Sequence, residues 1–266
     1  MWRFAVTVEW IIRGNDSVPT PSKPFKWYRN LATRKGRLEA GAFIVEGDRA
    51  IRQIIASQPD EIIEILTLDE PLPVYTNYPV RRITESQFLY ICNTRTPQGT
   101  LAVVRQPAAA YSGSLPSDIG NKILLLEDIQ DPGNVGTLIR TAAAFGFSGV
   151  IMTEKCADPL SPKCVQSTAG TVLSVWLRRT AGYLELPEAL KKAGYSLIAA
   201  DINGETEPSI LSRPDKLVLA LGNEGAGLSS GLLEMADYRL KIPIFSEKAE
   251  SLNVAVCGAI CMYLSS

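Results

Sequence analysis

Apolar positions along this chain switch repeatedly between strand and helix spacing, and the switching changes character once. Between residues 25 and 105 the segments are short and mixed. Residues 27–35 read as a basic helix, 42–46 as a strand, 48–57 as a helix, 62–68 as a strand, 82–92 as a helix and 101–104 as a closing strand. Residues 106–120 are rich in Ala, Ser, Gly and Pro and read as a linker. From Asn121 the apolar runs become longer and more regular. Strands are expected at 123–127, 149–153, 196–200, 217–221 and 238–242, and helices at 135–145, 186–193, 230–236 and 252–264. Strands separated by helices imply a parallel sheet. The pattern predicts an extension (1–24), a compact α/β unit (25–105), a linker (106–121) and a larger α/β unit (122–266), with no repeat of fixed period.

The extension opens with MWRFAVTVEWIIRG, which Arg3 and Glu9 interrupt. It is shorter than the roughly 20 apolar residues a membrane span takes, and no small-residue cleavage site follows. Neither a membrane anchor nor a signal peptide is expected, and SVPTPSKP reads as a flexible connector. Five cysteines form no CxxC pair and histidine is absent, so no metal site is expected. The odd thiol count suits the cytoplasm. Net charge is −1 but unevenly spread: residues 1–110 hold 14 Lys and Arg against 11 Asp and Glu, and the remainder 13 against 17. Lys23, Lys26, Arg29, Arg34, Lys35 and Arg37 occur with no acidic residue among them, interleaved with Phe25, Trp27 and Tyr28. Basic charge beside aromatic faces suits RNA. A solvated helix face over core aromatics fits the composition equally well.

Three strand–loop–helix cassettes carry the candidate chemistry: LLLEDIQDPGNVGTLIRTAAAFG (124–146), LVLALGNEGAGLS (217–229) and LKIPIFSEKAESLNVAVCGAICMYL (240–264). Loops at strand C-termini are where α/β proteins bind ligands. Without histidine, the usual proton shuttle near neutral pH, chemistry falls to Arg, Glu, Asn, Ser and backbone amides. In the first cassette Asn134 is expected to cap a helix starting at Val135, and Gly146 to close it. Arg140, the only charge on that helix, either snorkels outwards or meets an anion. The GNEGAG loop of the second cassette lacks both GxGxxG and P-loop spacing. It offers a flexible backbone and one carboxylate, Glu224, or else is an ordinary βα turn. In the third, Ser251 is the expected N-cap, and the free N–H groups at the helix start favour an anion.

Taken in order, Asn134 with Arg140, Gly222-Asn223-Glu224-Gly225, and Ile242-Pro243 with Ser251-Leu252-Asn253-Val254 resemble the three motifs of the SpoU (TrmH) RNA ribose 2′-O-methyltransferases. TRKGR, GAFIVEGDRAI and NTRTPQG are similar to that family's small substrate-binding domain, so the likeness spans residues 25–266. The resemblance implies a SPOUT domain, a parallel sheet whose C-terminal segment forms a deep trefoil knot, preceded by an α/β RNA-binding domain resembling ribosomal RNA-binding proteins. It implies S-adenosylmethionine held largely through backbone by Leu221, Gly222, Asn223, Gly225, Ile242, Pro243, Ile244, Leu252 and Asn253. Catalytic roles fall to Arg140, Glu224, Asn134, Ser251 and Asn253, and RNA contacts to Arg29, Arg34, Lys35, Arg37, Arg49 and Arg95. It further implies a homodimer through the final helix, with the first-cassette helix opposite.

The reaction so implied is methylation of a ribose 2′-OH in structured RNA. A separate N-terminal RNA-binding domain favours 23S-type ribosomal RNA, with transfer RNA the alternative. The family's proposed general base corresponds to Arg140, yet guanidinium has a pKa above about 12 and stays charged. Arg140 is therefore expected to clamp a phosphate and stabilise the developing alkoxide, with Glu224 orienting it or taking the proton. Two rivals stand beside this reading: a non-catalytic RNA-binding or ribosome-assembly protein, and a SPOUT enzyme that methylates a base nitrogen. The intact Arg140, Glu224 and Asn253 argue against the first, and the motif residues fit the ribose branch better than the second.

Overall fold

The computed structural model describes residues 23–92, 97–245, 247–248 and 250–266. The expectations for the N-terminal tail up to residue 22 and for Arg95 lie outside the described residues. The chain divides into two compact units, Met1–Gln106 and Pro107–Ser266.

The first unit runs α1 (Phe25–Asn30), α2 (Arg34–Ala40), β1 (Ala42–Glu46), α3 (Asp48–Ser57), β2 (Ile62–Thr67), β3 (Val80–Arg82), α4 (Glu85–Cys92) and β4 (Thr100–Arg105). Its sheet has the order β1-β4-β2-β3, with β4 antiparallel to both neighbours and β3 parallel to β2. Tyr28, Leu31, Phe88, Leu101 and Val103 are buried together as its core. The basic segment forms two helices rather than one. A turn intervenes and Thr33 caps α2, its Oγ1 accepting from the Gly36 N–H at 3.0 Å. The helix expected over 82–92 starts later, because residues 80–82 form β3. Two arginines conceal that strand: Arg81 is only 8 % exposed, lies 4.5 Å from the Phe25 ring centre and donates to the Lys23 carbonyl at 3.0 Å. Such partners come from tertiary structure, so local propensity misses the strand.

The second unit runs β5 (Lys122–Leu126), α5 (Pro132–Ala144), β6 (Gly149–Thr153), α6 (Pro162–Thr168), β7 (Trp176–Thr180), α7 (Glu185–Lys192), β8 (Ser196–Ala200), β9 (Leu217–Leu221), α8 (Ser230–Met235), β10 (Tyr238–Leu240) and α9 (Val254–Leu264). Its six strands are all parallel in the order β10-β8-β9-β5-β6-β7. Every residue of β6 and β9 is buried, as expected of strands covered on both faces. β7 and α6 escape the sequence pattern. In β7, Arg178 and Arg179 are buried because their guanidinium groups bond main-chain carbonyls, Arg178 reaching Ser114 at 2.5 Å and Arg179 reaching Cys156 at 3.0 Å. The same contacts correct the linker at 106–121. Ala110 is fully buried and its carbonyl accepts from the Arg179 N–H at 2.8 Å, while Trp176 Nε1 donates to Ile119 at 2.9 Å. This stretch is packed onto the second unit.

Chain order positions the site. The chain builds β5, β6 and β7 outwards in one direction, then crosses over to lay β8 and β9 on the other side of β5. Leu126 pairs with Leu221, so the loops leaving β5 and β9 emerge side by side at the carboxyl end of the sheet. That position is a topological switch point, where open parallel sheets bind ligands.

Candidate active site

The loop after β5 is held open at Asp128, a non-glycine residue with φ of 57°. Its N–H donates to Thr153 Oγ1 at 3.0 Å, that hydroxyl donates back to Asp128 Oδ1 at 2.7 Å, and Lys155 Nζ reaches Oδ2 at 3.0 Å. Asp131 then caps α5, its Oδ1 accepting from the Asn134 N–H at 3.0 Å, with Pro132 at the first helical position. The expected cap, Asn134, is therefore inside the helix. This frees its side chain for another task. Aspartate followed by proline is itself a helix-start signal, and it locates the true cap. Because Asp131 accepts the Asn134 N–H and a hydrogen bond from Lys163, its carboxyl is held below the ordinary aspartate value.

The loop after β9 is closed on itself. A Cβ on Gly222 would sit 2.3 Å from the Gly227 carbonyl carbon, so the two ends of the loop meet only because residue 222 lacks one. Asn223 and Gly227 exchange two backbone bonds of 3.1 and 2.9 Å. Asn223 Oδ1 accepts from Gly225 and Ala226 N–H at 2.9 and 3.0 Å, and its Nδ2 donates to the Asp128 carbonyl at 2.9 Å. The Asn223 side chain is thus used in stapling the two loops together, with Glu224 at the tip of the staple.

α9 begins at the same place. Its cap is Asn253, whose Oδ1 accepts from Ala255 and Val256 N–H at 2.9 and 3.3 Å. Ser251, the expected cap, lies two residues before it. Asn253 Nδ2 donates to Asn134 Oδ1 at 3.2 Å, and Asn134 Nδ2 donates to Glu224 Oε1 at 2.5 Å. Each amide has only one workable orientation here: the helix N–H groups fix the oxygen of Asn253, and a carboxylate can only accept. A directed chain of hydrogen bonds runs from the start of α9 through both asparagines to the carboxylate. Three of the five expected catalytic residues meet here, from three cassettes up to 119 positions apart.

Arg140 does not join them. It is on α5, six residues beyond Asn134, which places it about 9 Å further along the axis and about 120° around it. Its side chain is exposed and makes no hydrogen bond or ion pair among the described residues.

Beside Ser251 lies a pocket of about 120 Å³ between the ends of β8 and β10, the chain after β10 and α9. Three of the expected cofactor contacts, Ile242, Ile244 and Leu252, line it with Ser251, expected as a catalytic residue, and with Asp201, Ile202 and Cys257, which were not among the expected site residues. Asp201 is held in place by Arg239 Nε at 2.8 Å. Pro243 is exposed outside the lining, Leu221 is core, and Gly222, Asn223 and Gly225 belong to the neighbouring loop.

In the first unit the expected RNA contacts divide. Arg29, Arg34, Lys35 and Arg49 are exposed. Arg37 is 2 % exposed, with Nη1 donating to the Leu31 and Ala32 carbonyls at 3.0 and 3.1 Å. Those bonds close the turn between α1 and α2, so Arg37 is a structural residue and presents no charge to a ligand.

A parallel α/β sheet with a carboxylate held through two asparagines at its switch point and an apolar pocket alongside defines a ligand-binding class. Comparison with known proteins makes it specific. Residues 121–263 match the SpoU rRNA Methylase family, and residues 24–102 match the MRM3-like substrate binding domain. The chain belongs to the SpoU family of RNA methyltransferases. It is similar to the 23S rRNA (guanosine(2553)-2′-O)-methyltransferase RlmP of Bacillus subtilis, 32% identical over 243 residues that cover 90% of this chain and 94% of the relative. Among solved structures it resembles the SpoU methyltransferase AviRb from Streptomyces viridochromogenes in complex with AdoMet, at 26% identity and a TM-score of 0.77, covering 91% of this chain and 96% of that one. It also resembles an AdoMet-bound rRNA methyltransferase from Sinorhizobium meliloti, at 27% identity and a TM-score of 0.76, covering 93% and 96%.

Proposed function

We propose that this protein uses S-adenosylmethionine to methylate a ribose 2′-OH in ribosomal RNA of the 23S type. The observation that carries the proposal is the bonded chain Asn253–Asn134–Glu224 next to the pocket lined by Ile242, Ile244, Ser251 and Leu252. The pocket's chemistry fits the cofactor. Ile202, Ile242, Ile244 and Leu252 offer apolar faces to a purine, and Asp201 and Ser251 offer polar atoms for a ribose or an ammonium group. When bound, S-adenosylmethionine supplies an electrophilic methyl group.

The residues of this chain handle position and charge. One methyl reaches the 2′-oxygen and one proton leaves it. Glu224 takes that proton, and among the described residues only Asn134 bonds its carboxylate, so acceptor capacity remains. Asn134 and Asn253 hold the carboxylate in place. Arg140, which pairs with no carboxylate among the described residues, binds the phosphate next to the target ribose and offsets negative charge as the oxygen deprotonates. The exposed cations Arg29, Arg34, Lys35 and Arg49 contribute phosphate contacts from the substrate-binding unit.

We further propose a homodimer through α9, since Val256, Tyr263 and Leu264 on this helix are 49, 65 and 38 % exposed. The trefoil knot and a cytoplasmic setting belong to the same proposal. No helix among the described residues is long and apolar enough to cross a membrane.

The test is methyl transfer from labelled S-adenosylmethionine to separate ribosomal and transfer RNA, followed by nucleoside analysis. Label in a 2′-O-methyl nucleoside of ribosomal RNA is expected. Label confined to transfer RNA or to a base nitrogen would replace the substrate assignment, and no label in either RNA would favour a binding-only protein.

A further inference from the structure

On the surface of the first unit, Tyr90 stands near the end of α4 with 42 % of its area exposed, and its neighbour Leu89 is 43 % exposed. The guanidinium carbon of Arg29, on α1, lies 4.7 Å from the Tyr90 ring centre. The pair is not needed to fasten the two helices. Tyr28 and Leu31 from the α1 side and Phe88 and Ile91 from α4 are already buried in one cluster. Nor is Arg29 neutralised: neither it nor Lys26 on the same helix makes an ion pair with a carboxylate among the described residues, and Lys23 is exposed just before them. The result is an aromatic ring at the surface, backed by a cation and set in a run of positive charge.

Three physical facts point to one class of ligand. A tyrosine ring at the surface offers a flat, rigid apolar face that a planar ligand can cover. A cation over one side of the ring leaves the rest of it open to stacking. Positive charge without local partners attracts phosphate. A nucleic-acid duplex hides its base faces, whereas unpaired bases in RNA loops expose theirs and stack on aromatic rings. We propose that Tyr90 and Arg29 form a stacking site for an unpaired RNA base, with Lys26 and Lys23 holding the flanking phosphates. Tyr90 supplies the stacking face and Arg29 fixes the ring. The inference rests on the reading of this chain as an RNA enzyme and adds where, and on what kind of RNA, its first unit takes hold.

The test uses the full chain and fluorescence anisotropy with two fluorescein-labelled probes, oligoadenylate of about a dozen nucleotides and an RNA duplex of the same length. Tyr90→Ala is expected to weaken oligoadenylate binding about tenfold, the effect of losing one base stack. Tyr90→Phe keeps the ring and is expected to bind within about twofold of the unaltered protein. Tyr90→Ala should leave duplex affinity unchanged, which also controls for folding. Lys26→Ala should weaken both probes and lower the salt slope by about one counterion. Equal oligoadenylate affinity for Tyr90→Ala and the unaltered chain would overturn the stacking site while leaving RNA binding in place. So would an equal loss on both probes, or a loss in Tyr90→Phe as large as in Tyr90→Ala. If the unaltered chain binds neither probe, the RNA reading itself fails.

Discussion

The two ends of α5 are in opposite states. At its start, Asp131 caps the helix, and Asn134 is bonded to both Glu224 and Asn253. Further along the same helix, Arg140 is exposed and makes no bond among the described residues. The tied end needs nothing from outside to reach its geometry. The open end holds a permanent cation with no carboxylate partner among the described residues. On the proposed mechanism, the carboxylate to be aimed is built into the fold, and the charge that would meet phosphate is left in water until the substrate brings one.

The largest expected effect comes from breaking the open end. Arg140→Ala is predicted to lower kcat about 10³-fold, the scale for losing a charge that acts on a developing anion. S-adenosylmethionine affinity, read by calorimetry, should stay within about twofold, because Arg140 is not among the residues that line the pocket. Full activity in this variant would remove Arg140 from the mechanism. The comparison sharpens if inactive Arg140→Ala and Glu224→Gln chains are mixed. Should Arg140 serve the other copy of a dimer, random exchange restores about a quarter of the activity, from one intact site in half of the dimers. No recovery is the outcome if both residues act within one chain.

Next in size is the tied end. Glu224→Gln keeps the shape and the hydrogen bond to Asn134 Nδ2 but cannot take a proton, so kcat should fall about 10²-fold. The diagnostic readout is pH: raising it restores the variant toward the unaltered rate if solvent hydroxide replaces the missing base. A parallel loss at every pH would make Glu224 a positioning group only.

Both ends were legible in sequence to different degrees, and the reason is physical. Strand runs such as 149–153 and 217–221 appeared with their observed bounds because strands buried on both faces must be continuously apolar. Loop residues Asn134, Glu224 and Asn253 could be named from the motifs they share with a family, but their mutual bonding could not. It depends on which strands are neighbours, and the β5–β9 pairing joins residues nearly a hundred positions apart. Buried arginine defeated the reading every time. Arg37, Arg81, Arg178 and Arg179 all look like surface charge in sequence, yet each donates to main-chain carbonyls that only the fold supplies. Arg37 was accordingly placed on RNA, and β3 and β7 were missed.

A smaller effect is expected where α9 packs under both ends of the comparison. Gly258 faces α5, and a Cβ there would lie 2.4 Å from Leu138 Cδ2 and 2.7 Å from Leu221 Cδ1. Gly258→Ala should destabilise the second unit by about 1–3 kcal/mol, the usual cost of overpacking, measured by urea unfolding. Since Leu138 lies between Asn134 and Arg140 on α5, repacking there would displace both. Loss of kcat out of proportion to the loss of stability would show that the spacing between the two ends matters in itself.

The smallest effect should come from Asp131→Asn. Asparagine can still cap α5, so the tied end keeps its shape and loses only the charge facing Lys163, at 3.3 Å. In the folded chain the Asp131 carboxyl is held below its ordinary value, first by the Asn134 N–H and then by Lys163. A group whose folded pKa is lowered stabilises the fold above its unfolded pKa and loses that contribution as pH falls through the folded value. The unaltered chain should therefore melt slightly above Asp131→Asn at neutral pH, with the gap closing below about pH 4. Salt should narrow it as well, because both partners are half exposed or more. A melting gap that persisted at low pH would mean that the cap geometry, and not the charge, had changed. In that case kcat should fall with it, since the Asn134 N–H that Asp131 accepts is on the residue that aims Glu224.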